Sequence, residues 1–234
     1  MCPLCRVLGV RGKSRLRATS LPESRTKRSR NPNPRHNVSL ITLYTAEPGN
    51  GKTYAALVKL KASRAVVFVP TASNKNELLS KIPWVFLRDL TPKELERLRL
   101  GFKQFRVVIS CEEAGQLAAF MSPQWEGWAF VLDDLPQLFY NKPAQAQVDR
   151  FAAGIRHRDG QLVITTQRIL GFVPPFCRAV ADEIFQVGPL IEQTEARCLY
   201  YMGGSSRYPV FKDFYKAIAT NPQYGLFPIK QQNK

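Results

Sequence analysis

Residues 46–53 read Ala-Glu-Pro-Gly-Asn-Gly-Lys-Thr, and nothing else in the chain limits its fold so tightly. They follow the pattern G-x-x-x-x-G-K-[ST] except at Ala46. Before them, Leu40–Tyr44 is a short apolar run that reads as a strand ending at Thr45. After them, Thr53 to Lys61 carries Tyr54, Leu57, Val58 and Lys61 at helical spacing, with Leu60 beside them. A strand, a glycine loop and a helix in that order make a cradle for phosphate. Gly49 and Gly51 let backbone N–H groups turn inward as a nest. The helix N-terminus adds its positive end. Lys52 is placed for the β- and γ-phosphates of a nucleotide, and the Thr53 hydroxyl for Mg²⁺. Ala46 is small enough to keep the turn provided its φ stays negative. The expected nucleotide contacts therefore run through Glu47, Pro48, Gly49, Asn50, Gly51, Lys52, Thr53 and Tyr54, with ATP and Mg²⁺ as cofactors.

The remaining pattern alternates strands and helices. Ala65–Val69, Arg106–Ser110, Trp128–Leu132, Leu162–Thr166, Glu183–Val187 and Arg197–Tyr201 read as strands. Pro92–Leu100 is a charged helix, with Thr91 as cap, Pro92 at the first position and Glu94 completing a capping box. Ala144–Arg156 is a second helix. Continuous apolar runs between helices predict a parallel sheet covered on both faces.

A nucleotide cradle needs acids at the end of a neighbouring buried strand. Trp128–Leu132 runs into Asp133-Asp134. Asp133 would hold Mg²⁺, directly or through water, and Asp134 would polarise the attacking water. Asp134 is one methylene shorter than the glutamate that often fills this role. Glu112-Glu113, after Val107–Ile109, is a rival pair, set back by Ser110 and Cys111. Residues 156–167 close the set. Gln167, at the end of a strand through Thr165-Thr166, suits a sensor of the γ-phosphate or its water. Arg156 and Arg158 precede that strand, either as surface charges or as arginine fingers for a neighbouring subunit's nucleotide. His157 reads as a loop histidine.

In this order these motifs resemble the FtsK–HerA lineage of P-loop DNA-pumping ATPases, over about Leu40 to Val187. The resemblance rests on Glu47–Thr53, the strand ending in Asp133-Asp134, and Arg156-His157-Arg158-Asp159-Gly160 followed by Ile164-Thr165-Thr166-Gln167. The compact core is similar to genome-packaging ATPases of membrane-containing icosahedral viruses. It is also similar to zonula-occludens-toxin-like assembly ATPases of filamentous phages, which commonly carry a membrane span and a periplasmic domain. The resemblance implies an α/β P-loop NTPase fold of RecA-like type, with a mainly parallel central sheet flanked by helices. It implies an ATP-hydrolysing motor that moves double-stranded DNA into a capsid, working in the host cytoplasm or on the virion. Its expected partners are further copies in a homo-oligomeric ring, hexameric in such families, and viral capsid or membrane vertex proteins. Ala46 and Asp134 depart from the family pattern, and the second bears on the rate of hydrolysis.

Charge agrees with a polyanionic partner. The chain carries 34 Lys and Arg against 18 Asp and Glu, a net +16. Residues 1–37 hold ten basic residues against Glu23 alone, interrupted by Pro3, Pro22, Pro32 and Pro34. This segment reads as a disordered basic arm, either a grip on phosphate backbones or a solvating tail. Residues 38–204 are the expected ATPase domain and 205–234 a C-terminal extension. The five cysteines include Cys2 and Cys5 as C-x-x-C, with no second pair at zinc spacing; free thiols in a reducing compartment are expected. No run approaches the roughly 20 apolar residues of a membrane span. Extrusion of filamentous phage would thus need a membrane partner. A nucleic-acid-binding module with a degenerate nucleotide site is supported only by Ala46 and Asp134, and a metabolic kinase lacks a recognisable acceptor lid.

Overall fold

The computed structural model describes residues 40–60, 64–70 and 79–231. The basic arm, the Cys2–Cys5 pair and the end of the first expected helix, at Lys61, lie outside them. Among the described residues eight strands form one sheet, with helices between them along the chain. In chain order these are β1 (Leu40–Thr45), α1 (Lys52–Lys59), β2 (Ala65–Val69), β3 (Trp84–Phe86), α2 (Pro92–Gly101), β4 (Gln104–Val108), β5 (Ala129–Leu132), α3 (Leu135–Leu138), α4 (Lys142–Arg156), β6 (Gln161–Thr166), α5 (Pro175–Val180), β7 (Glu183–Val187), α6 (Gln193–Met202), α7 (Phe211–Ala219) and β8 (Leu226–Lys230). The strand order is β3-β4-β2-β5-β6-β1-β7-β8. Every neighbouring pair is parallel except β7 and β8.

Residues of a strand alternate between the two faces of its sheet. Here both faces are buried, so the strands read as continuous apolar runs rather than alternating ones. Val66 and Phe68 of β2, Phe130 and Leu132 of β5, and Leu162 and Ile164 of β6 join one core, covered by Val148, Phe151 and Ile155 of α4 and by Phe214 and Ile218 of α7. Val67 and Val69, Val131 and Val163 join a second, smaller core with Ala56 and Leu60 from α1 and its end. The larger core is aromatic. Phe130 stacks edge-on against Phe151 with ring centres 5.2 Å apart, and Phe68 against Phe120 at 5.0 Å. Trp125 sits 5.1 Å from Phe120 and 4.9 Å from Trp128. These rings seat β5, whose carboxyl end carries Asp133.

The capping box on α2 is present: Glu94 N–H donates to Thr91 Oγ1 at 3.3 Å, and Thr91 N–H donates to Glu94 Oε2 at 2.8 Å. One expected strand is corrected. Arg197–Tyr201 lies inside α6, where Glu195, Ala196 and Leu199 are buried on one side while Tyr201 is exposed. Spacings of three and four residues mark a helix; the run Cys198-Leu199-Tyr200-Tyr201 mimicked a strand because its outward positions are also aromatic. Two edge strands, β3 and β8, were not expected. Pro228 inside β8 hides it, and an edge strand is where proline is tolerated. The segment from residue 205 adds α7 and β8 to the same core and sheet. Among the described residues no helix is long and apolar enough to cross a membrane.

Phe130→Ala should lower stability by about 3–5 kcal/mol through loss of buried area and an unfilled cavity. Urea denaturation followed by circular dichroism measures it.

Candidate active site

β1, β5 and β6 end side by side, with β6 between the other two. The loop after β1 starts at Ala46, which is fully buried and whose N–H donates to Thr166 O at 3.1 Å, extending the β1–β6 ladder by one residue. Ala46 is not among the residues with positive φ, so alanine meets no strain there. Gly49 and Gly51 do adopt left-handed backbone, with φ of 83° and 82°. Asn50 N–H donates to Glu47 O at 3.3 Å and closes the turn. Gly51 caps α1 with backbone alone: no side chain caps the helix, and no acid occupies its first turn. The first N–H groups of α1 are thus left for an anion. Tyr54 points outward, 58% exposed, so only its backbone belongs to the cradle.

Opposite the loop stand the acids. Asp133 and Asp134 are both buried. Asp133 Oδ1 accepts from the Thr53 hydroxyl at 2.9 Å and from the Thr165 hydroxyl at 2.8 Å. Thr165 Oγ1 in turn accepts from Asp134 N–H at 2.8 Å. One hydroxyl therefore ties β6 to both acids. Asp134 adopts φ 52°, a left-handed state that aspartate tolerates better than most residues, and it starts α3. Gln137 donates to its Oδ2. Its Oδ1 is buried without a hydrogen bond, and Lys52 Nζ stands 3.9 Å away. Burial pushes the Asp133 carboxyl above its ordinary range, against the Thr165 and Thr53 hydrogen bonds and the Lys52 charge, which pull it down.

The expected metal site is made of hard oxygens, the Thr53 hydroxyl and the Asp133 carboxylate. Among the described residues no cluster of three or more His, Cys, Asp or Glu side chains could hold a metal. That donor set fits Mg²⁺, which is commonly held by one or two protein oxygens together with substrate phosphates.

Gln167 follows β6 at the same end of the sheet, half-buried, and its carbonyl accepts from the Thr45 hydroxyl at 3.4 Å. The turn beyond it is anchored by a residue the sequence did not single out. Glu195 of α6 is buried, and its carboxylate accepts from Ile169 N–H at 2.5 Å and Leu170 N–H at 3.2 Å. Burial raises its pKa, partly offset by those two N–H groups. Sequence gave no sign of it, because the contact spans 26 positions to Ile169 and lies just before a segment misread as a strand. Thr165 had a visible signal, a polar residue at the end of an apolar strand.

Arg156 and Arg158 are not brought to this chain's phosphate loop. They lie before β6, at the amino ends of the parallel strands, and β6 at about 3.3 Å per residue separates them from Thr166 by well over 15 Å. Arg156 pairs with Asp182 at 3.6 Å and donates to Val180 O at 3.5 Å. Arg158 is half-buried and His157 exposed at the end of α4. The rival pair is also set apart. Glu113 accepts from Ser110 N–H at 2.7 Å as a cap, Glu112 is exposed, and β2, β5 and β6 separate β4 from β1.

No protein-family model matches the chain, and no curated protein does. Solved structures do. The genome packaging NTPase B204 from Sulfolobus turreted icosahedral virus 2, in complex with ATP-γS, is 17% identical over 81% of this chain and 91% of its own, with a TM-score of 0.57. B204, the DNA-packaging ATPase from Sulfolobus turreted icosahedral virus, is 15% identical over 84% of this chain and 100% of its own, with a TM-score of 0.55. VirB4 of Thermoanaerobacter pseudethanolicus is 11% identical over 83% of this chain and 90% of its own, with a TM-score of 0.53. What the chain shares with these proteins is the fold, that of a P-loop NTPase with a mostly parallel sheet flanked by helices.

Thr165→Val keeps the shape and removes the shared hydroxyl, leaving Asp134 N–H unpaired and Asp133 short of one donor. It should cost about 1–3 kcal/mol of stability, read as a lowered urea midpoint at unchanged slope.

Proposed function

We propose that this chain is an ATP-hydrolysing motor that moves double-stranded DNA into a viral capsid. The observation that carries the reading is the convergence at one sheet end of an uncapped helix N-terminus, Lys52, Thr53 and two buried carboxylates joined through Thr165. Such a site accepts a triphosphate and offers groups for cleaving its last bond. The fold shared with a genome packaging NTPase bound to ATP-γS supports the same reading at the level of architecture.

Each residue has a task. The loop Glu47–Tyr54 wraps the phosphates with backbone N–H groups. Lys52, held near Asp134 in this structure, turns to the β- and γ-phosphates when nucleotide binds, which leaves the Asp134 carboxylate to accept a proton from the attacking water. Thr53 and Asp133 would hold Mg²⁺, which supplies charge neutralisation on the phosphates. Gln167 senses the γ-phosphate. Arg156 and Arg158, remote from their own chain's loop, serve only a neighbouring subunit's nucleotide, which requires a ring. Basic residues of the domain and of the segment before it grip the DNA backbone, so affinity falls steeply with salt. Its working place is the host cytoplasm or a virion vertex, beside capsid or membrane vertex proteins.

Steady-state ATP hydrolysis, by the full chain and by Lys52→Ala, with and without double-stranded DNA, tests the reading. The wild type should hydrolyse ATP faster with DNA, and the variant should lose roughly 10²–10³-fold. Hydrolysis indifferent to DNA would overturn the packaging motor in favour of an assembly ATPase such as those that extrude filamentous phage. Hydrolysis unchanged in the variant would overturn the site.

A further inference from the structure

The segment between α7 and β8 closes over the phosphate loop. Asn221 Nδ2 donates to Gly188 O at 2.9 Å and to Gly225 O at 2.8 Å, and Gly188 N–H donates to Gly225 O at 2.9 Å. Gly188 lies directly against the loop: a Cβ there would stand 2.8 Å from Asn50 Cγ. At the tip of the turn, Tyr224 is placed against Gly51, where a Cβ would meet Tyr224 Cδ1 at 2.8 Å. So Gly51, at the heart of the cradle, meets a turn from more than 170 positions further along the chain, and Asn50 lies against Gly188, which that turn holds by hydrogen bonds.

Tyr224 is the third residue of a tight turn closed by Gly225 N–H, which donates to Pro222 O at 2.8 Å, a position that takes positive φ and ordinarily favours Gly or Asn. Its φ is 63°, a backbone state that bulky side chains rarely adopt. The residue as a whole is nevertheless 61% exposed, so core burial does not repay the strain. Among the described residues its hydroxyl makes no hydrogen bond. Strain held at an exposed aromatic beside a ligand loop points to use by the ligand.

Position decides which part of the ligand. The acids and Gln167 end β5 and β6, on one side of β1; Tyr224 belongs to the turn before β8, beyond β7 on the other side. A triphosphate with its γ end at the acids has its nucleoside end away from them. We propose that Tyr224 is the nucleoside platform of this site, with the nucleobase stacked on its exposed face. This rests on the nucleotide-site reading above. Stacking on an aromatic ring needs the π-face and no hydroxyl.

Isothermal titration of the full chain with Mg²⁺-ATPγS and with inorganic tripolyphosphate, which has the phosphates but no base, separates the possibilities. The variants are Tyr224→Gly and Tyr224→Asn, whose side chains suit φ 63°, and Tyr224→Phe. In the Gly and Asn variants ATPγS should bind roughly ten- to a hundredfold more weakly, while tripolyphosphate binding stays at the wild-type value. Tyr224→Phe should bind both as the wild type does. ATPγS affinity unchanged in the Gly and Asn variants overturns the proposal. So does an equal loss for both ligands, which makes the ring a prop for the loop. Failure of the wild type to bind either ligand overturns the nucleotide site itself; Lys52→Ala, which should weaken both ligands, marks that site independently of Tyr224.

Discussion

The Thr165 hydroxyl is the joint of the site. It donates to Asp133 and accepts from Asp134 N–H, so a single oxygen on β6 sets both acids relative to the strand that separates them from the phosphate loop. Here β6 runs between β1 and β5. With one strand interposed, about 4.8 Å wide, the Thr53 hydroxyl reaches Asp133 and Lys52 approaches Asp134 without crowding. The aromatic core under β5 keeps that spacing fixed.

Much of this arrangement was legible in the residues. The loop's shape could be read because left-handed backbone at Gly49 and Gly51 asks for glycine, and because Lys52 and Thr53 open the helical spacing of α1. The place of the acids could be read because the apolar run Trp128–Leu132 stops at Asp133-Asp134, where β5 ends. The parallel sheet followed from apolar runs too continuous for one-sided burial. The substitution at Ala46 also had a condition attached, negative φ, and the backbone meets it.

What stayed hidden was long-range or masked by ambiguous composition. Glu195 anchors the turn after Gln167 from a helix whose aromatic outer face imitates a strand. Tyr224 carries no motif, and its approach to Gly51 arises from the path of β7, α7 and β8. Pro228 sits inside edge strand β8, which breaks the apolar run that would mark it. Periodicity reports how each segment meets its immediate surroundings; it says little about which distant segment supplies them.

β1 has a consequence for how the protein must be made. It is the first described strand, yet its two neighbours in the sheet are β6 and β7, some 120 to 140 positions later. Pairings of that span close large loops and form slowly. On a ribosome the phosphate loop would emerge early and wait, its strand unpaired on both sides, until most of the domain had been translated. Over that interval β2, β4 and β5 can already associate, since their sequence separation is smaller. The domain would then be completed by inserting this interior strand late, and an apolar interior strand with two open edges is the natural point for a chaperone to hold.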